Sequence, residues 1–131
     1  MLAGCERHWQ EHGFGLLAVE DRETGTLIGR SGVQYHTLWP ADPEVGWGLD
    51  PDWWGRGLAT EAGAACVGWA FRELGLERIV SIAQPANVAS IRVMEKLGFR
   101  VVAERDSEAW GLVLVHALDR PPPPGAFSSR S

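Results

Sequence analysis

Alternating apolar and polar residues along the chain predict six short strands. They span residues 14–20, 27–35, 44–49, 77–83, 99–104 and 110–118. A polar turn that ends in Gly25 separates the first two strands, which predicts a hairpin. The third strand is weakened by Gly46 and Gly48, which would permit a bulge, and Pro40 and Pro43 are expected to break the chain just before it.

Helical periodicity marks two longer segments, and a short polar helix is predicted over residues 4–12. In residues 58–74 apolar side chains recur every third or fourth position, and the predicted buried face consists of Leu58, Ala62, Ala65, Cys66, Trp69 and Ala70. Residues 88–97 predict another helix, with Asn87 as its N-cap and Gly98 as the left-handed residue after its end. The order β-β-β-α-β-α-β-β predicts an α/β fold in which helices flank a mixed sheet.

Composition indicates one ordinary globular domain. The chain has 131 residues, of which 45% are hydrophobic and 22% are charged. Residues 1–119 are assigned to this domain, and the proline-rich residues 120–131 are expected to form a disordered tail. Because no apolar run is long enough to span a membrane and no secretory leader is recognisable, we expect a cytoplasmic protein with no membrane partner. The formal net charge of -5 argues against binding to nucleic acid.

The most informative segment is WGRGLAT, residues 54–60, which joins the end of a predicted strand to the start of the long helix. Gly55 and Gly57 let a ligand approach the backbone closely, and the first N–H groups of the helix point outward at its positive end. A phosphate group would fit there, with a charge from Arg56 and a hydroxyl from Thr60; the alternative is that the glycines serve only the turn. The segment lacks the third glycine of a dinucleotide fingerprint and the Gly-Lys-Ser/Thr end of a P-loop, which disfavours both nucleotide motifs.

A second motif, NVASIRVMEKLGF, follows one predicted strand later at residues 87–99. Together, WGRGLATEA and NxxSxRxxEKLGF resemble the GNAT superfamily of acyl-CoA-dependent N-acetyltransferases, in particular the branch that acetylates ribosomal-protein N-terminal alanine. The resemblance runs from Phe14 to Leu118. It implies a GNAT-like, mostly antiparallel central sheet with flanking helices. It also implies acetyl transfer from acetyl-CoA to a primary amine, either a protein N-terminus or a small molecule.

The resemblance further implies which residues bind the coenzyme. Backbone amides of the glycine-bearing loop would hold its pyrophosphate, and these belong to Trp54, Gly55, Arg56, Gly57, Leu58, Ala59 and Thr60. The remaining contacts, with the pantetheine arm and the adenosine phosphates, would come from Trp47, Leu49, Asn87, Ser90, Arg92 and Lys96. For Asn87 a pure N-cap role is the alternative, and for Arg92 and Lys96 a solvated surface position.

Acetyl transfer requires attack by a neutral amine on the thioester and an N–H donor that stabilises the oxyanion. A strand amide near Trp47 is the expected donor. A base must remove the proton of the amine, and Glu44, at the start of the binding strand, is the first candidate, with His36 second. The alternative for Glu44 is an exposed acid at a strand end. Ser90 is the candidate donor to the leaving thiolate, because Met94 stands where many family members have tyrosine.

Met94 and a short N-terminus support an alternative function, that of a catalytically inactive acyl-CoA-binding sensor or scaffold. The first strand and helix of the family precede the region that matches Phe14, so these elements are expected to be missing or truncated here. An incomplete chain that folds only with a partner is a further alternative, and an uncovered sheet edge favours a homodimer. No metal is expected, because the HxxEH pattern of His8 and His12 lies in a short polar segment.

Overall fold

A computed structural model describes residues 15–21 and 23–121 of the chain. Six strands form one sheet in the order β1-β2-β3-β4-β6-β5. They are β1 (Leu16–Glu20), β2 (Leu27–His36), β3 (Trp39–Leu49), β4 (Arg78–Ala83), β5 (Arg100–Ser107) and β6 (Gly111–Asp119). The helices are α1 (Leu58–Glu73), α2 (Val88–Leu97) and the short 3-10 helix Pro51–Trp53. The mixed α/β class and the predicted order of elements are confirmed; the helix predicted at 4–12 and residues 122–131 of the expected tail lie outside the described residues.

The sheet is mostly antiparallel, and within the described residues β3 and β4 are the pair that runs parallel. Both helices pack on one face of the sheet, where the main core contains Val45 of β3, Phe71 of α1 and Met94 of α2. Successive strand residues point to opposite faces. Val80 and Val115 therefore belong to a smaller cluster on the other face. No helix in the described ranges is long and apolar enough to cross a membrane.

The predicted break at Pro40 and Pro43 is wrong, because β3 runs through both prolines without interruption. A proline has no N–H group to donate and is tolerated where one edge of a strand has no ladder partner. On its β4 side, β3 pairs only at Glu44, so the prolines before it face no ladder there. Trp39, at the tip of this hairpin, packs against the smaller cluster, and the Arg105 guanidinium lies 4.7 Å from its ring centroid.

The helix α1 ends at Glu73, one residue before the predicted end, and its predicted buried face is wrong in part. Ala65 is exposed, whereas Gly63 and Phe71 are buried. A Cβ at Gly63 would lie 3.0 Å from Leu97 Cδ1 and 3.1 Å from Trp47 Cε3. Helix α1 therefore packs through a glycine, a residue that hydrophobic periodicity does not score.

The predicted ends of α2 are confirmed. The Asn87 side-chain oxygen accepts a hydrogen bond from the Ser90 N–H group at 3.3 Å, which caps the helix. Gly98 follows with a φ of 96°, a left-handed conformation that glycine adopts without strain. These caps fix the start of α2 beside the end of β4, where the candidate site lies.

Candidate active site

The parallel strands β3 and β4 separate soon after they meet. Their backbone ladder contains the pair Glu44–Val80, and beyond it side chains make the hydrogen bonds between the two strands. The Ser81 hydroxyl donates to the Val45 carbonyl at 3.0 Å, and the Ile82 N–H donates to Glu44 Oε2 at 3.1 Å. Beyond these bonds the strands are unpaired among the described residues, so a gap opens toward their C-terminal ends.

The bulge that Gly46 and Gly48 would permit is not present in β3. The pairing of β2 with β3 is regular from Gly29–Leu49 to Tyr35–Pro43, and its register shifts only between Tyr35 and His36. The strands are separated on the β4 side instead, where side chains replace the backbone ladder. The two glycines are therefore not needed to open the sheet.

A loop with two left-handed glycines joins β3 to α1. Gly55 has a φ of 77° and Gly57 a φ of 76°, and a Cβ at either position would meet no atom within 4 Å. Gly57 is the N-cap of α1 and makes no side-chain cap bond, so the N–H groups of the first turn remain available. The positive end of the helix dipole adds to these donors, and the loop has the geometry of an anion site.

A cleft of about 540 Å³ lies between this loop, the end of β3 and α2. Twelve of the thirteen residues expected to bind coenzyme line it, namely Trp47, Leu49, Trp54, Gly55, Gly57, Leu58, Ala59, Thr60, Asn87, Ser90, Arg92 and Lys96. Although the chain has a net charge of -5, the charged residues among those lining the cleft are the cations Arg92 and Lys96. The lining therefore suits a polyanionic ligand.

Arg56 is the expected residue that does not line the cleft. Its guanidinium lies 4.7 Å from the ring centroid of Trp53 and donates to the Asp52 carbonyl at 3.3 Å. Stacking on a neighbouring ring holds the charge beside the loop. A contact made by residues three apart in an irregular turn has no periodic signal in the sequence, so the stacking of Arg56 on Trp53 was not predicted.

Four residues that line the cleft were missed by the sequence analysis: Gly48, Trp53, Ala89 and Val93. Ala89 and Val93 lie four residues apart on α2 and share one face with each other. Helical periodicity applied to Ser90 and its neighbours would have found this pair. Gly48 and Trp53 lie between expected residues and carry no charge that would have singled them out.

Glu44 is half-buried, which excludes the interpretation of an exposed acid at a strand end. Burial raises the pKa of its carboxyl group to about 7, and the hydrogen bond from the Ile82 N–H opposes that rise. Val45 belongs to the core on the helix side, so the Glu44 side chain starts from the other face of the sheet. Its carboxylate lies where β3 and β4 separate, because Ile82 belongs to the second strand of that pair.

His36, the second candidate base, lies at the end of β2. Its Nδ1 atom accepts a hydrogen bond from the Leu38 N–H at 3.0 Å, and its ring centroid lies 5.8 Å from that of Trp110. Burial lowers its pKa, so the ring is neutral at pH 7. Since Nδ1 already accepts a backbone proton, Nε2 is the nitrogen left to act as a base.

Met94 lies in the core and not in the cleft. It is 1% exposed and packs in the main cluster with Phe71 and Phe99. Ser90, one turn earlier on α2, lines the cleft. Of these two positions, only Ser90 can offer a proton to a ligand there.

Comparison with known proteins agrees with this geometry. A family model described as an acetyltransferase (GNAT) domain matches residues 2–100. The chain is 42% identical over 79 residues to the uncharacterized N-acetyltransferase YnaD of Bacillus subtilis (strain 168), a match that covers 60% of this chain and 46% of YnaD. The chain spans about half the length of the curated relatives it matches.

Solved acetyltransferase structures share the fold. The acetyltransferase from Agrobacterium tumefaciens str. C58 superposes with a TM-score of 0.77 at 34% identity, over 89% of this chain and 70% of that one. The ribosomal-protein-S5-alanine acetyltransferase from Vibrio fischeri gives a TM-score of 0.75 at 24% identity, over 88% of this chain and 69% of that one. At that lower identity the likeness concerns the fold alone.

Proposed function

The chain belongs to the GNAT acetyltransferase family, and from that premise we propose that it transfers the acetyl group of acetyl-CoA to a primary amine. The observation that carries the proposal is the cleft, in which uncapped N–H groups and two cations lie beside an open strand edge. Amine and thioester meet in a ternary complex, so proximity supplies much of the rate. The acceptor is a protein N-terminus or a small-molecule amine.

The cleft residues fit coenzyme A in three parts. The N–H groups at the start of α1 bind the pyrophosphate, where both glycines leave open space. Backbone groups of β3 near Trp47 and Leu49 bind the pantetheine arm. The cap bond of Asn87 uses its oxygen, so its amide NH₂ is the group that reaches this arm. Arg92 and Lys96 bind the adenosine phosphates from α2.

Glu44 is proposed as the general base. A carboxylate whose pKa is about 7 accepts a proton near neutral pH far better than an ordinary glutamate does. It starts from the face of the sheet opposite the helices, so the amine approaches through the gap from that side. Ser90 is proposed as the donor to the leaving thiolate, since Met94 is buried in the core.

Two further expectations remain proposals. A homodimer would form through an edge of the sheet, where β1 is the outermost strand among the described residues. The solution mass of the purified chain tests this expectation. A cytoplasmic location is the second, and fractionation of cells that express the protein tests it.

The test of acetyl transfer uses the purified chain, acetyl-CoA and a panel of amines, with release of free CoA thiol as the readout. Gly57→Trp fills the phosphate loop and is expected to abolish both coenzyme binding and turnover. Gly75→Trp is the matched control, because Gly75 also has a positive φ, 63°, with no atom within 4 Å of a Cβ. A folded Gly57→Trp variant that binds acetyl-CoA like the wild type would refute the loop assignment. Coenzyme binding without turnover on any amine would favour the sensor or scaffold alternative.

A further inference from the structure

Trp54 is an exposed aromatic residue that is nevertheless fixed in place. Its side chain is 65% exposed, and it lines the cleft. The indole N–H donates to the Leu49 carbonyl at 3.0 Å, which ties the ring to the end of β3. A ring held in this way loses little rotational freedom when a ligand stacks on it. An exposed and anchored indole in a cleft is therefore suited to bind a flat group.

The neighbouring Trp53, in contrast, already has a cation stacked on its ring. The Arg56 guanidinium lies over its face, 4.7 Å from the ring centroid. In the part of the chain that the structure describes, no cation or second aromatic ring is stacked on Trp54. The two adjacent tryptophans are thus unlike each other, and only the second offers a free face to a ligand.

The same cleft is lined by the exposed cations Arg92 and Lys96 of α2. A cleft that combines an exposed aromatic ring with two cations is suited to bind a nucleoside phosphate, since the base stacks and the phosphate pairs with the charges. Pantetheine offers neither a π-face nor this additional charge. The adenosine end of the donor is the part that uses these groups.

Resting on the proposed function, we propose that the Trp54 indole stacks on the adenine base of the acyl donor. The site therefore selects acyl groups carried on a nucleotide thioester over those carried on phosphopantetheine without adenosine. Trp54 is a specificity-determining residue for the donor, and the reacting thioester lies elsewhere, along β3.

The test measures the affinities of coenzyme A, adenosine bisphosphate and free phosphopantetheine for three variants by titration calorimetry. Trp54→Leu removes the ring and is expected to weaken coenzyme A and adenosine bisphosphate about tenfold, with phosphopantetheine unchanged. Trp54→Phe keeps a ring but loses the hydrogen bond to Leu49, and is expected to retain most of the affinity. Trp110→Leu is the matched control, since it replaces an exposed tryptophan outside the cleft.

Two results would overturn the proposal. Equal losses for Trp54→Leu and Trp54→Phe would mean that the ring anchors the loop and does not stack. An equal loss of phosphopantetheine affinity in Trp54→Leu would mean that the indole packs on the pantetheine arm. Failure of the proposed function is distinguishable from both, because a wrong cleft assignment would leave the wild-type chain binding none of the three ligands, and a sensor or scaffold would bind coenzyme A without transferring acetyl.

Discussion

Replacing Glu44 by glutamine separates the catalytic role of the carboxylate from its effect on stability. The substitution keeps the size of the side chain and an oxygen that accepts the Ile82 N–H, but it removes the charge. Glu44→Gln is expected to lower the rate of acetyl transfer and, at high pH, to raise the free energy of unfolding. A residue kept only for structure would not give these opposite effects.

The stability gain follows from the pKa of the buried carboxyl. Its pKa rises from 4.5 to about 7 because burial disfavours the charged form. Below about pH 4.5 the group is protonated in both the folded and the unfolded chain, so wild type and Glu44→Gln are expected to be equally stable apart from the substitution itself. Between about pH 4.5 and pH 7 the folded protein holds the extra proton, and the wild type loses stability as the pH rises. Above pH 7 the difference in unfolding free energy reaches roughly 3 kcal/mol.

The loss of activity follows from the same group. The wild-type rate of acetyl transfer is expected to rise with pH through about 7, as Glu44 loses its proton. Glu44→Gln is expected to lower this rate by about 100-fold or more near neutral pH. The amine itself loses its proton at higher pH, so the difference between wild type and variant narrows there.

Chemical denaturation at about pH 4.5 and about pH 8.5 measures the first effect, and thiol release at saturating acetyl-CoA measures the second. Glu20→Gln is the matched control, since Glu20 is an exposed acid on β1, and neither quantity is expected to change. The reasoning is refuted if Glu44→Gln transfers acetyl at the wild-type rate across this pH range. It is also refuted if the variant is less stable than the wild type at the higher pH.

Two further predictions concern the glycines of α1 and the protonation of a buried histidine. Gly68→Ala is expected to stabilise the protein by about 0.5–1 kcal/mol, because a Cβ there meets only Arg72 Nη1, at 3.7 Å. Gly63→Ala is expected to give no such gain and to weaken acetyl-CoA binding, because its Cβ would lie 3.1 Å from the Trp47 ring and displace it. Denaturation measures the stability of both variants, and equal gains in the two would contradict this prediction. Burial lowers the pKa of His116, whose Nδ1 has no partner among the described residues, so its own contribution to the unfolding free energy is expected to fall as the pH drops through about 6.5, opposite in sign to the contribution of Glu44. His116→Leu is expected to remove this contribution, so that the variant gains more stability than the wild type as the pH drops through about 6.5; the same pH dependence in both proteins would refute it.

The features predicted most accurately from the sequence are those that depend on residues close together in the chain. Asn87 and Gly98 act through hydrogen bonds and dihedral angles within a few residues, and both ends of α2 lie where these residues predict them. The loop from Trp54 to Thr60 is equally local, since two glycines and a helix start define it. Its place in the cleft was therefore predictable, although its contacts with a ligand remain a prediction.

The features that were predicted wrongly or missed depend on contacts between residues that are distant in the sequence. Pro40 and Pro43 were expected to break the chain before the third strand, but their tolerance within it depends on whether β4 pairs alongside, which no short segment specifies. The desolvation of Glu44 likewise depends on how β3 and β4 come together, so its raised pKa is invisible in the sequence. Gly63 was overlooked because its importance comes from the Trp47 ring against it.

The most direct test of the central claim is a calorimetric titration of acetyl-CoA into the purified chain, with its solution mass measured alongside. Binding is expected with micromolar affinity and one coenzyme per chain, and free coenzyme A is expected to compete for the same site. A folded chain that gives no binding heat and fails to retain acetyl-CoA in equilibrium dialysis would contradict the assignment of the cleft, and the proposed transferase function would have to be withdrawn.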